Sequence, residues 1–385
     1  MKFFGYSRPD GKVGIRNFLA VIPASVCAAT VAFNIASQIP QAVALPNQHG
    51  CCQLGADHEQ TLKTLIGLGK NPNVGAVLVI GLGCEGISAA AVAEEIALTG
   101  KPAESIIIQE RGGTLQATAL GVQIASKIAR DISLLTRQEY PLSELFLAVE
   151  CGGSDFTSGL ASNPAVGVAS DLLVKAGGTS ILSETTEFIG AEHILAKRAK
   201  SPEVGQKIIS IVQTCEERAK QMNVDIRGSQ PTPGNIQGGI SSIEEKSLGC
   251  IYKAGSSPIE GVLHYGEIPS GKGLYIMDTP GQDIESITGM LAGGATIVVF
   301  TTGRGTPTGS PLAPVIKITA NKETYANMID NIDIDASSII SGEKTIEQVG
   351  QEIFTDIIEV ANGKLTKAES LGHKEFGIYR IAPTF

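Results

Sequence analysis

No stretch of this 385-residue chain reaches the roughly 20 consecutive apolar residues that a membrane-spanning helix needs, so a membrane role is not expected. The opening MKFFGYSRPDGKVGIRN breaks into proline, glycine and charge before the apolar core of a signal peptide can form, and the sequence reads as cytoplasmic. A basic cluster is missing too. Its 30 Lys and Arg are scattered among 39 Asp and Glu, for a formal net charge of −9, which argues against a nucleic-acid surface and for a small-molecule substrate. There is no GxSxG elbow, no Ser-His-Asp order and no Walker A loop, which removes the common serine-hydrolase and P-loop chemistries. Seven cysteines, an odd number without a leader, fit thiols or metal ligands better than a disulfide framework.

What is present is apolar patterning of the α/β kind. Hydrophobic residues make up 43% of the chain, enough for an ordered core and for two domains. Short Val/Ile/Leu runs (FLAVIPA, AVALPN, GAVLVIG, SIIIQE, LFLAVE, TSILSET) alternate with helix-length segments at the spacing of successive βα units. GLYIMDTPG and ATIVVFTTGRG repeat this pattern later in the chain. Helices are expected over AAAVAEEIALTG and from Pro202 to Met222, where Val204, Ile208, Ile211, Val212 and Cys215 share one face and make Cys215 a core residue. The Gly/Pro/Asn-rich NVDIRGSQPTPGNIQGG that follows reads as a linker or an ordered active-site loop. The expected fold is α/β, with mostly parallel sheets, flanking helices and two halves, 1–225 and 226–385. An echo between the ten residues from Gly177 and those from Gly293 fits either duplication or shared helix-turn-strand grammar.

Three cysteines stand where strands should end: Cys51 in HGCC, Cys84 in IGLGCEG and Cys151 in VECGGSD. Strand ends of open parallel sheets are where ligands gather, and thiolates assembled from separate strand ends can hold iron or zinc. The plain alternative is that each is a small buried hydrophobe, the reading preferred for Cys27, Cys52, Cys215 and Cys250. His49 and His58 flank Cys51 and are further candidate ligands. The same GLGCEG is a literal G-x-G-x-x-G after a strand, with Glu110 ending the next one. That is the outline of a dinucleotide site, and it makes NAD-dependent oxidoreduction a rival reading.

Past another strand, SETTEFIGAEH offers Glu184 and His193 as general base and acid or as metal ligands, with Glu187 and Glu192 behind them; ordinary helix capping explains the same residues. For an anionic substrate, the cations in Gly-rich turns are Arg8 and Arg16, the latter beside Asn17, and Arg304 in TTGRG.

Taken in order, GYSRPDGKVGIRN, GCCQLGAD, VIGLGCE, QERGGT, ECGGSD, LSETTEFIGAEH, EEKSLGC, MDTPG and FTTGRG resemble the large-subunit, or C-terminal, module of the altronate/galactarate dehydratase family over nearly the whole chain. The resemblance implies an iron-dependent lyase acting on a hydroxylated acid, and a separate small SAF-type partner subunit; an oligomer is expected. For such an elimination the working reading of the residues is that Cys51, Cys84 and Cys151 border or bind Fe²⁺, or carry an iron-sulfur cluster, that Glu184 or His193 shares proton transfer, and that Arg16, Asn17 and Arg304 hold the acid group. One departure is local: family dehydratases often carry Gly-Cys-Lys-Pro after TTGRG, where this chain reads Gly309-Ser310-Pro311. The related sulfolactate sulfo-lyase large subunit, which releases sulfite, is therefore the second expectation. A non-catalytic binding subunit is the third.

Overall fold

The computed structural model describes residues 1–382. The Val/Ile/Leu runs are strands because β-branched residues suit a pleated surface. They lack polar alternation because both faces of each sheet are covered, as parallel sheets require. Four form one parallel sheet: β3 (Phe18–Pro23), β4 (Ala42–Ala44), β5 (Val74–Gly81) and β6 (Ala103–Ile107), in the order β4-β3-β5-β6. All eight residues of β5 are buried.

A seven-stranded parallel sheet is built from β8 (Phe146–Gly152), β9 (Thr179–Leu182), β10 (Ile259–Leu263), β11 (Gly273–Met277), β12 (Ile297–Thr302), β13 (Val315–Thr319) and β14 (Ile334–Asp335). Its order is β10-β11-β9-β8-β12-β13-β14. β1 (Lys2–Ser7) pairs antiparallel with β2 (Val13–Gly14) and β7 (Gln138–Pro141). The α/β class with mostly parallel sheets is thus as expected.

The expected division at residue 225 runs through the larger sheet, with β8 and β9 before it and five strands after it. The two echoing segments lie in this same sheet: β9 and β12 flank β8, and each follows a helix and a Gly-Gly turn. β8 is also where the winding reverses, since β9 and β11 lie on one side and β12 on the other. Such a switch point opens a crevice at the strands' carboxyl ends.

The sheets are tied by side-chain amides. Asn71 Nδ2 donates to the Leu291 and Ala295 carbonyls, and Asn73 Nδ2 to those of Thr296 and Leu312, all at 2.8 Å. The helices Gly55–Lys70 and Asp283–Ala292 meet closely: a Cβ on Gly67 would lie 2.5 Å from the Ala292 carbonyl oxygen, so this contact needs glycine. No described helix is long and apolar enough to cross a membrane.

Candidate functional site

β8 delivers Glu150 and Cys151 to the switch point, both buried. The turn after β9 delivers Glu184 and Glu187. Glu184 is left-handed at φ +68°, a conformation costing a non-glycine residue about 1 kcal/mol or more, and the surroundings hold it there. Its N–H donates to Thr279 Oγ1 at 2.7 Å, the next N–H donates to the Thr279 carbonyl, and Thr185 Oγ1 donates to Asp278 Oδ1.

A third element was not expected at this site. In the helix Ile243–Ile251 and the 3₁₀ turn after it, Lys246, Cys250 and Lys253 stand at i, i+4 and i+7, one helix face. Lys253 is fully buried, and its ammonium lies 2.8 Å from Cys151 Sγ, 2.7 Å from Glu184 Oε2 and 3.1 Å from Glu187 Oε2. Cys151 Sγ is 2.8 Å from Glu187 Oε2 and 3.5 Å from Cys250 Sγ. Lys246 reaches Glu187 Oε1 at 3.3 Å.

Burial, and next the charge of Glu187, lift Glu184 to about 7 despite Lys253. Burial and the neighbouring Glu184 push Glu150 well above the carboxylate range. Glu187 is displaced the other way: burial pushes it up, but Lys253 and Lys246 together hold it far below normal. Burial and Cys250 raise the Cys151 thiol, so it is protonated at neutral pH, while the anions around Lys253 outweigh its burial and keep it charged. Carboxylates pushed apart in this way mark acid–base sites. Lys246 and Cys250 also line a cavity of about 240 Å³ with Ser154, Asp155, Ser158 and Asn163, which puts the cluster beside open space.

The expected thiolate set does not assemble. Cys51 and Cys84 are exposed in loops of the four-stranded sheet, whereas Cys151 is buried in the other. Sulfurs sharing one ion at about 2.3 Å must lie within about 4.6 Å of one another. Among the described residues, the groups of three or more metal-capable side chains that close are Cys151–Glu187–Cys250 and Glu150–Glu184–Asp283. Iron or an iron-sulfur cluster on Cys51, Cys84 and Cys151 therefore does not fit this arrangement. Cys27 and Cys52 are exposed, Cys215 is half-buried rather than core, and Cys250 belongs to the cluster.

His193 is exposed on the helix Glu192–Lys197, outside both groups, and Glu192 accepts from the Gly190 N–H. His49 Nε2 meets the Ile378 carbonyl and His58 Nε2 that of Gly86. Arg16 makes a two-pronged pair with Glu369 at 2.7 and 2.8 Å and also donates to three carbonyls; Asn17 is held by Arg8 and the Ile132 carbonyl. Arg304 is exposed at the site's edge: its N–H bonds the Gly153 carbonyl just past β8, and its guanidinium donates to Gly234 and Gln237. The segment 223–239, which holds the short helices Ile226–Ser229 and Pro233–Gln237, thus packs over this strand end, anchored also by Asn235 Nδ2 to the Ser154 carbonyl. In GLGCEG, the Leu82 and Gly83 amides are taken by the loop's own Glu85 carboxylate, at 2.9 and 2.5 Å, where a pyrophosphate would have to sit.

The signal for the missed lysines lay in EEKSLGCIYK, whose helical spacing puts an amine, a thiol and an amine on one face.

Comparison with known proteins follows this geometry. Residues 142–384 match the family model "D-galactarate/Altronate dehydratase, C-terminal", and residues 5–133 match "D-galactarate dehydratase/Altronate hydrolase, second domain". The chain is 38% identical to (2R)-sulfolactate sulfo-lyase subunit beta of Chromohalobacter salexigens, over 98% of this chain and 97% of that protein. It is 36% identical to altronate dehydratase of Bacillus subtilis (99% and 78%) and 36% identical to galactarate dehydratase (L-threo-forming) of Escherichia coli (99% and 77%). The buried Cys151, Glu184 and Cys250 all lie within the C-terminal match, and the chain belongs to the D-galactarate/altronate dehydratase family.

Proposed function

We propose that this chain is the large subunit of a lyase that removes a β-substituent from a hydroxylated carboxylic acid, in the first reading water from a sugar acid of the altronate or galactarate type. One observation carries the reading: a buried carboxylate that titrates at about 7, Glu184, is fixed against the Lys253 ammonium beside a cavity reached through Lys246 and Cys250.

Elimination requires a base for the weakly acidic proton next to the substrate carboxylate, positive charge for the enediolate that develops, and a proton for the departing hydroxide. Glu184 is ionised at neutral pH to a useful fraction and is the base. Having taken the proton, it is the acid that returns it to the leaving group. Lys253 stays charged and orients Glu184. Lys246, lining the cavity, and Arg304, whose backbone N–H bonds the Gly153 carbonyl just past β8, hold the acid group. Arg16 and Asn17 hold chain segments together instead, and His193 has no role in this reading. No step is routed through iron on the three cysteines.

A small partner subunit is part of the proposal. The chain accounts for 97% of the sulfo-lyase subunit beta but 78% of the Bacillus subtilis dehydratase, leaving a further segment of the latter unmatched. The same full-length match, with Gly309-Ser310-Pro311, favours a second reading, release of sulfite from sulfolactate. The purified chain, with and without its small partner, is to be assayed on altronate, galactarate and sulfolactate. Keto acid without sulfite supports the first reading and sulfite the second; no turnover of any of the three by the two-subunit enzyme rejects the lyase assignment.

A further inference from the structure

A second cavity, of about 260 Å³, opens where β10 and β11 end, at His264 and Asp278. Carboxyl ends of strands are where open α/β sheets place ligands. The helix Pro202–Gln221 adds Arg218 to the wall, the helix Gly55–Lys70 adds Lys63, and the last part of the chain adds Tyr379. Residues far apart in the sequence thus share this space.

Two of its charges are left unmatched by the protein. Lys63 is paired with Glu59 at 2.5 Å. Burial raises Asp278, while the Thr185 hydroxyl, Arg218 and His264 act to lower it, which sets both of these side chains near the carboxylate. Arg218 acts in the same way on the Tyr379 phenol. Yet among the described residues no ion pair within 4.0 Å joins Arg218 or His264 to Asp278. Asp278 Oδ1 accepts from Thr185 Oγ1 at 2.6 Å, and its Oδ2 accepts from no described residue. A guanidinium and a carboxylate therefore stand in one concave space with hydrogen-bonding capacity to spare, the pattern of a small-molecule site.

The ligand class follows from the two groups. A guanidinium meets a carboxylate as a two-pronged donor, whereas an ionised Asp is an acceptor and calls for a donor. A molecule that satisfies both carries a carboxylate with a hydroxyl or an ammonium beside it. The cavity is several times the roughly 30 Å³ that a water molecule occupies in the liquid, room for a small acid.

We infer that this cavity is a second binding site, for one small α-hydroxy or α-amino carboxylic acid, with the ligand's carboxylate on Arg218 and its donor on Asp278 Oδ2. The site is separate from the cluster around Lys253, but one bond joins them, since the Thr185 that follows Glu184 is held by Asp278. Only an effect of the occupant on turnover rests on the lyase reading; binding is tested without it.

Propionate, lactate and alanine differ in one substituent on the same carbon: hydrogen, hydroxyl or ammonium. Each, the last two as racemates, is titrated into the dialysed full chain at neutral pH and followed by ligand-observed NMR and thermal melting. Saturable binding at millimolar concentration and a rise in Tm are expected for lactate or alanine, and whichever binds identifies the donor that the site takes. Propionate should bind about tenfold more weakly or worse, the worth of one hydrogen bond to a charged group. Arg218→Ala and Asp278→Asn should each weaken binding by a similar factor with unchanged circular dichroism, because Arg218 is exposed and an Asn still offers Thr185 an oxygen. Lys246→Met, which alters the catalytic cavity, should leave binding unchanged. Binding lost in Lys246→Met but kept in the other two variants would place the ligand in the catalytic cavity and overturn the proposal. So would propionate that binds as tightly as the others, or no saturable binding of any of the three. Binding without turnover of altronate, galactarate or sulfolactate by the two-subunit enzyme would leave this site standing and remove the lyase reading.

Discussion

Lys253 Nζ lies 2.7 Å from Glu184 Oε2, and both side chains are sealed from solvent. An ion pair so placed is stabilising only while both members are present, because either alone is an uncompensated buried charge. Lys253→Met should therefore lower stability by about 3–5 kcal/mol. A shift in denaturant midpoint checks this; a loss below about 1 kcal/mol would mean that Glu184 and Glu187 find other partners.

Glu184→Gln keeps the shape of the side chain and removes its basicity. Turnover should fall by about 10²–10⁴-fold while the chain remains folded, the usual worth of a positioned base. Single-turnover rates within tenfold of wild type would take Glu184 out of proton transfer.

Two arginines should behave oppositely. Arg16→Ala cuts the pair with Glu369 and the bonds to Val360 and Lys364, so it should cost about 3–5 kcal/mol of stability. Arg304→Ala should leave Tm within a degree or two and raise KM for the acid. Finding the KM effect at Arg16 instead would return that residue to the substrate.

Lys101 supplies a pH dependence far from the cluster. Burial, and next the charge of Arg8, lower its pKa to about 7 from 10.5, and its ammonium donates to the Gly69 and Asn71 carbonyls. A depressed lysine costs the folded state most below its folded pKa, and the cost disappears as pH rises toward the unfolded value. Relative to Lys101→Met, wild type should gain stability between pH about 7 and 10.5. Thermal melts across that range check it, and a flat difference would show that Lys101 is hydrated.

The loop Gly81–Gly86 should not take a dinucleotide, because Glu85 occupies the amides that would face a pyrophosphate. Titration with NADH should give no saturable fluorescence change. Tight binding would revive the oxidoreductase reading.

Much of the fold is readable from local pattern. FLAVIP, VGAVLVIG, FLAVECG and IVVFTT are apolar without alternation, and the physics of a sheet covered on both faces makes them parallel strands wherever they pair. The helix Pro202–Gln221 was legible from its apolar period, and the structure adds its N-cap, the Ser201 hydroxyl accepting from the Val204 N–H. Sheet membership was not legible, since a Gly/Pro-rich stretch near residue 225 reads as a boundary, whereas here it folds down over the end of β8 through Asn235 and Gly238.

Within the site, Glu184 and Cys151 could be named from the sequence, because strand ends followed by glycine or capping residues mark where ligands meet. Cys51 and Cys84 satisfied the same rule, but their strands belong to the other sheet, a fact that no local spacing contains.

The sequence by itself determined the α/β class, the strand segments, the lack of nucleic-acid and membrane features, and the family motifs, all of which follow from side-chain periodicity and composition over a few residues. Only the tertiary structure decided that Lys253 and Cys250, about 100 residues after Cys151, share its burial, and that Glu150, Glu184 and Asp283 converge. Such a meeting is set by strand order and helix packing, where residues distant in sequence are held within a few ångströms and burial alters their charge.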